Sequence, residues 1–413
     1  MAAKDGEPTA VTAAAAAATE PAATIPPPHH PWDAAAASAA GVEVVAAPRQ
    51  PYRKNKAQRR RKRARRAART QLRPQVEAIL PELRTLTVAG EPRAVAEASA
   101  GGGTCGCGAI AWDSLPAELN PLAGKVPPAR AEKKRRQIEG LLEWAQALLP
   151  PPPPSGSGAA GPGPTAVDFC AGGGHLGLVL AALRPDVSVV LLDAKQQALD
   201  GAARRAAALG LPNIRTVCCS VGDFHEPFDL ALALHSCGGA ADAVQAAALA
   251  ARASFVIAPC CYGFVQDAVQ TAAEEAEGAA AEAGSGTATR DAKLVLVSGL
   301  QYPRSAAYRS CAALSGALYA AIAGSADATY NATDARQQTH DLHARACMNA
   351  IDADRAMLAV EAGYVAAVTT MGAGRSEPER EGAVEVTQTG VKNQLLLGCP
   401  LRPSSGGERT GSE

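Results

Sequence analysis

The chain has few large aromatic side chains: five Phe, seven Tyr and three Trp make up 4 % of 413 residues. Much of its 47 % apolar content is alanine. It also lacks any apolar run of about 18 residues, which excludes a membrane-spanning helix on the usual length argument. A compact apolar signal core is missing near the start, where Lys4, Asp5, Glu7 and Glu20 stand among alanines. Those early acids argue against an organelle transit peptide. The eleven cysteines lack the spacing of a disulfide framework, and several are adjacent (Cys218-Cys219, Cys260-Cys261). These features predict a protein of a reducing compartment, cytoplasmic or nuclear, without membrane attachment. The 39 Gly and 30 Pro are unevenly spread. The length would hold two or three average domains, but this distribution predicts one substantial core with disordered flanks and insertions.

Acidic residues are absent from residues 53–69 (RKNKAQRRRKRARRAAR), which carry eleven Lys or Arg. The zero formal charge of the whole chain therefore hides 29 basic against 40 acidic residues elsewhere. Such a run binds phosphate backbones by counterion release, serves as a nuclear-import signal, or is a solvated basic segment. RNA is the partner expected for it.

Residues 1–73 read as a disordered tail, Ala/Pro-rich and then basic. Residues 74–164 read as a helical extension and a Pro/Gly linker. One short helix is expected within 74–90, and an amphipathic one at 130–149, where Ile138, Leu141, Leu142, Ala145 and Leu149 recur at helical spacing. Cys105-Gly106-Cys107 lacks a partner pair for a tetrahedral zinc site, and no metal is expected. From Thr165 short apolar strands alternate with helices, predicting a parallel sheet covered on both faces. Strands are expected at 165–169, 187–193, 214–220, 228–235 and 253–259, with helices at 175–183, 195–209 and 240–251. Longer helices follow at 305–323 and 334–362, then two late strands at 364–371 and 393–398. The domain ends near residue 400, with low-complexity insertions at 271–290 and 372–390 and a disordered tail over 401–413.

The chemistry centres on Val167 to Gly177, VDFCAGGGHLG. An apolar strand meets three consecutive glycines and a helix start. Glycines permit a sharp turn and close approach of a ligand, and the helix N-terminus favours an anionic or strongly polar group. Gly172-x-Gly174-x-x-Gly177 also satisfies the dinucleotide fingerprint, which alone is weak. Asp193, at the end of the second strand, is placed to accept hydrogen bonds from ribose hydroxyls. NAD and S-adenosylmethionine (SAM) both offer that ribose. Cys237 is either a thiolate nucleophile or a small packing residue. His235 is either a general base or a hydrogen-bonded histidine closing its strand. Tyr262, after Cys260-Cys261, would stack on a base or border the pocket. Arg304 and Lys392 are candidate phosphate contacts, or surface charges.

DFCAGGGHLG (168–177), LHSCGGAAD (234–242) and SFVIAPCCYGF (254–264) resemble the methyltransferase domain of glutathione S-transferase C-terminal domain-containing proteins. That domain lies within the wider group of methyltransferase-32-type domains, which includes a tRNA 2′-O-methyltransferase. The similarity continues through Tyr302 to Ser305, Asp352 to Arg355 and Lys392 to Gly398, and back to Trp112–Leu149. It covers roughly two-thirds of the chain, with no glutathione transferase segment in it. The resemblance implies a Rossmann-like α/β class I SAM-dependent methyltransferase fold, a seven-stranded, doubly wound sheet closed by the late pair of strands. It implies SAM as cofactor, held by Asp168, Cys170, Gly172, Gly174, Asp193, Asp223 and Phe224. Asp168 would orient the methionine end, and Asp223 with Phe224 would border adenine, although Asp223 also reads as a turn cap. Cys170 stands where most such enzymes have glycine, so the turn must be accommodated differently. In this fold the segment 235–238 faces the transferring methyl, which makes His235, Cys237 and Tyr262 the catalytic candidates. The Asn/Asp-Pro-Pro-aromatic motif of amino-group methyltransferases is absent. The expectation is methylation of RNA (tRNA or rRNA). The alternatives are a protein side-chain methyltransferase, or a catalytically silent module that binds RNA through its basic tail. An NAD-dependent oxidoreductase ranks last, because no substrate domain for hydride transfer is visible.

Overall fold

Five runs beginning at Thr165 carry the pattern of strands, and each forms one, although that over Ile214–Cys218, at the sheet edge, is only partly buried. The computed structural model describes residues 56–86, 90–99, 110–123, 127–153, 163–236, 239–269, 300–327, 335–371 and 393–401. Two units are distinguished, Met1–Gln58 and Arg59–Glu413. Only the first three residues of the opening helix, 56–58, are described in the former.

The elements are α1 (Lys56–Thr85), α2 (Pro92–Ala98), α3 (Pro128–Leu148), β1 (Thr165–Phe169), α4 (His175–Leu183), β2 (Ser188–Asp193), α5 (Gln196–Ala208), β3 (Ile214–Cys218), β4 (Leu230–Ser236), α6 (Ala240–Ala251), β5 (Ser254–Pro259), α7 (Gly316–Ala326), α8 (Ala335–Glu361), β6 (Tyr364–Thr370) and β7 (Gln394–Pro400). Short helical pieces lie at 263–269 and Ala306–Arg309. The seven strands form one sheet in the order β3-β2-β1-β4-β5-β7-β6. β1 to β5 are parallel, and β7 runs antiparallel to both β5 and β6. This is the class I SAM-dependent methyltransferase fold. Strand order reverses between β1 and β4, the switch point at which such sheets leave a crevice beyond their carboxyl ends.

Alternation along the strands sorts side chains to two cores. Val189, Leu191, Leu230, Leu232 and Val256 face α3, α4 and α5. Val167, Phe169, Val190, Leu192 and Phe255 face α6 and α8. α3 buries Ile138, Leu141, Leu142, Trp144 and Ala145 in the first of these, so the helical extension is part of the sheet's cover. A third core joins α1, α7 and α8 through Val76, Ile79, Leu83, Tyr319, Ile322 and Met348.

Two expectations are corrected here. The basic run, expected to be disordered, is helical from Lys56 and continuous with the segment expected to form a short helix. Arg, Lys, Gln and Ala are all good helix formers. The charged half is also anchored: Arg65 pairs with Asp267, and Arg69 Nη1 donates to the Gly324 carbonyl at 2.7 Å. The helix expected at 305–323 is split in two. Ser305 and Ser315 each accept a hydrogen bond from an N–H three residues on, and so cap separate helical starts. The first 55 residues, Cys105 and Cys107, the insertions at 271–290 and 372–390, and the tail from 402 lie outside the described residues. Among the described residues no helix is long and apolar enough to cross a membrane.

Candidate functional site

Beyond β1 the chain turns through Cys170, Gly172 and Gly174, all at positive φ (57°, 53° and 69°). Ala171 N–H donates to the Leu192 carbonyl at 2.9 Å, and Gly174 N–H to the Ala171 carbonyl at 2.7 Å. Cys170 thus takes the left-handed conformation directly, at a cost of about 1–2 kcal/mol for a residue with a Cβ. The glycines divide the remaining work. A Cβ on Gly174 would lie 2.8 Å from Leu191 Cδ1, and one on Gly177 would lie 2.3 Å from Leu191 Cδ2. Those two let α4 seat closely on the sheet. A Cβ on Gly172 would meet nothing within 4 Å, so its face of the turn is open to a ligand.

Both acidic residues at this turn are held in place. Asp168, 2 % exposed, accepts the Gly177 N–H at 3.0 Å through Oδ2. Burial raises its carboxyl to about 7, against the opposing effects of the Gly177 N–H and Lys134. Asp193, closing β2, accepts Gly172 N–H at 2.8 Å and Lys195 N–H at 2.9 Å, one through each oxygen. A carboxylate oxygen has a second acceptor site, so Asp193 retains capacity for ribose hydroxyls beside the open face of Gly172. Asp223 ends the short helix Val221–Asp223 after β3 and accepts the Ser220 hydroxyl at 2.6 Å. Phe224 is buried and packs edge-on against Phe169, with centroids 5.9 Å apart.

At the switch point His235 has φ 63° and sits where the β4–β5 register slips. Its Nε2 lies 3.0 Å from Gln137 Oε1 of α3. Desolvation of the ring against α3, with Lys134 and Lys133 nearby, holds the imidazole below its usual value. The residue remains exposed, which suits a proton acceptor at neutral pH. Next to it, Ser236 Oγ is buried without a hydrogen-bond partner. Cys237 lies outside the described residues.

Residues 133–268, which contain the turn, both acids and His235, match a protein family described as "Methyltransferase domain". The chain carries a methyltransferase domain. It is homologous to glutathione S-transferase C-terminal domain-containing proteins over that portion. The one from Xenopus laevis is 32 % identical over 297 residues, covering 72 % of this chain and 39 % of the relative. The human protein is 30 % identical over the same length, with 38 % of it covered. The chain thus spans about two-fifths of the length of these relatives. Ribosomal RNA small subunit methyltransferase G of Porphyromonas gingivalis is 41 % identical over 68 residues, 16 % of this chain and 31 % of that protein.

Two expected site residues stand elsewhere than expected. Tyr262, expected to stack on a base, is completely buried. A buried phenol needs a partner, and its hydroxyl donates to Asp352 Oδ2 at 2.6 Å. Arg304, expected to contact phosphate, is buried with its Nε 3.8 Å from Asp242 and its guanidinium over the Tyr302 ring. Lys392 lies outside the described residues. Tyr262 and Arg304 belong to a polar cluster made by Asp242 of α6, Asp352, Asp354 and Arg355 of α8, and Tyr302 and Tyr319. Arg355 bonds both Asp242 oxygens (2.8 and 2.9 Å) and Asp352 (2.8 Å). Tyr302 donates to Asp242 and Tyr319 to Asp354. Burial alone would raise the Asp242 carboxyl, but Arg355 and Arg304 outweigh it and leave it below its ordinary value. Burial prevails at Asp352 and Asp354, which are raised.

Several residues that shape the cofactor turn went unnoticed in the sequence. Arg205 of α5 donates to the Gly173 carbonyl and lies 3.2 Å from His175 Nε2. Burial, with Lys134 and Arg205 close by, lowers His175 to about 3. The signal for Lys134 and Gln137 was their i, i+3 spacing on an amphipathic helix, but only the crossing of α3 over β4 shows where that face points.

Proposed function

We propose that the chain is a SAM-dependent methyltransferase acting on RNA. The observation that carries the cofactor assignment is the open face of Gly172, flanked by Asp193 and by the buried Asp168. Asp193 would hold the ribose, Asp168 the methionine end, and Asp223 with Phe224 the adenine side. SAM would supply an electrophilic methyl group on sulfur, so the protein need only align the acceptor and receive its proton. His235 would perform the second task. It is exposed, at the end of β4, and oriented by Gln137.

RNA as the acceptor rests on α1 and on the partial likeness to a ribosomal RNA methyltransferase. Arg60, Arg63 and Arg66 are exposed on α1 while Arg65 and Arg69 pin it to the domain. A basic helix held this way can set the register of a phosphate backbone and leave target choice to the pocket.

The full chain should be incubated with methyl-labelled SAM and, separately, with total RNA and with total protein. Label should enter RNA and be released by ribonuclease. Label confined to protein would move the substrate to a side chain. SAM binding with no transfer to either would make the domain a silent binding module.

A further inference from the structure

We propose that the cavity between α1, α8 and the paired ends of β6 and β7 is a subsite for one unpaired base of the RNA acceptor, a short way along the strand from the nucleotide being methylated. This rests on the RNA reading above and adds a recognition site apart from the cofactor turn.

The position of the cavity follows from the sheet. β7 runs antiparallel to β5 with Leu396 opposite Ile257, and Thr370 of β6 stands opposite Gln394 of β7. Thr370 and Gln394 therefore lie at the carboxyl edge of the parallel strands, the edge that also carries the glycine turn and His235. The cavity there has a volume of about 420 Å³, within the range of small-ligand sites. Its lining includes Leu80 and Arg84 of α1, Tyr308, Asn349 of α8, Thr370 and Gln394. β7 stands two strands from β4, about 10 Å along the edge at the usual strand spacing. An RNA strand covers that distance in about three nucleotides at a stacked rise of about 3.4 Å, and in fewer when extended.

The lining suits a base and its phosphate. Leu80 and Tyr308 supply apolar surface. Gln394 is buried and donates its amide to Asn349 Oδ1. That bond orients the exposed Asn349 and leaves its own amide N–H groups without a partner among the described residues. Carboxamides pair in two-pronged fashion with base edges, which single strands leave accessible. Arg84, in the last turn of α1, is exposed and makes no ion pair among the described residues. Arg66 precedes it by 18 residues on the same continuous helix, five turns at 3.6 residues each, so the two share one face. An acid on that face, Glu77, is paired with Arg73 at 2.8 Å. The exposed arginines thus lead a phosphate backbone along α1 to the cavity, where the carboxamides meet the base.

The test titrates the full chain with fluorescently labelled single-stranded oligo(A), oligo(C) and oligo(U) of equal length, read by anisotropy at one salt concentration. Wild type should favour one base about tenfold, as one two-pronged contact allows. Asn349→Ala should bring the three within about twofold of one another. Asn349→Asp keeps an oxygen for Gln394 but replaces the N–H donors by an acceptor, and should lose the same preference. Arg84→Ala should weaken all three alike and keep the preference, as removal of a phosphate contact does. Both Asn349 variants should unfold at the wild-type temperature, and a preference lost only together with stability would give Asn349 a structural role and overturn the proposal. Wild-type binding without preference, or a preference that survives both Asn349 variants, would overturn the subsite and leave the RNA reading standing. Competition by a free nucleoside monophosphate as strong as by the oligonucleotide would put a metabolite in the cavity and overturn it too. A folded wild type that binds none of the three RNAs would overturn the RNA reading and this inference with it.

Discussion

Replacing Asp168 by asparagine should make the protein less sensitive to pH while weakening its hold on SAM. Asp168 is 2 % exposed, and burial raises its carboxyl from 3.8 to about 7. A carboxyl whose folded pKa is raised binds its proton more tightly in the native state than in the unfolded one. Its contribution is fully present below the unfolded pKa and is lost as pH rises through the folded one. Between pH 5.5 and pH 7 the loss is about 1.4 kcal/mol per unit, or roughly 2 kcal/mol, with little further change above that. Asparagine keeps an oxygen for the Gly177 N–H and removes the titration. Denaturant midpoints of the cofactor-free chain at pH 5.5 and pH 8 give the readout, taken as the difference between wild type and variant so that other titrations cancel. Wild type should lose roughly 2 kcal/mol more than Asp168→Asn across that range. SAM affinity should rise with pH in wild type, because the cofactor's positive groups favour the ionised carboxyl, and should be weak and flat in the variant. Parallel pH slopes in the two proteins would refute the reasoning.

Gly177→Ala should destabilise the fold by about 1–3 kcal/mol in denaturant unfolding, because the new Cβ falls 2.3 Å from Leu191 Cδ2 between helix and sheet. Tyr262→Phe should cost about 1–3 kcal/mol by taking a donor from the buried Asp352. Its SAM affinity and transfer rate should otherwise match wild type, and lost transfer without lost stability would return Tyr262 to the active site. Arg355→Met should be worse, about 3–5 kcal/mol by thermal or chemical unfolding, since it strands Asp242 and Asp352 together in the interior.

The strands of the sheet were legible because each is an apolar run bounded by turn residues, and period and length suffice to identify it. The glycine turn was legible for a related reason: three glycines after a strand have few other uses. The continuous α1 was not, because what fixes its charged half is a pairing of Arg65 with Asp267 and of Arg69 with the Gly324 carbonyl, some 200 residues or more away. Partners remote in sequence, though nearer than these, also hid the fate of Tyr262 and Arg304. Local reading places both beside the pocket, but the carboxylates that draw them inward belong to α6 and α8. Asp242 and Arg355 are 113 residues apart in sequence.

The most direct test of the cofactor site is calorimetric titration of SAM, and separately of NADH, into the full chain and its Asp193→Ala variant. The site described here predicts micromolar-range SAM binding, no NADH binding, and at least a tenfold loss in the variant, about 1.4 kcal/mol. A folded chain that fails to bind SAM, or binds it equally well without Asp193, would contradict that account.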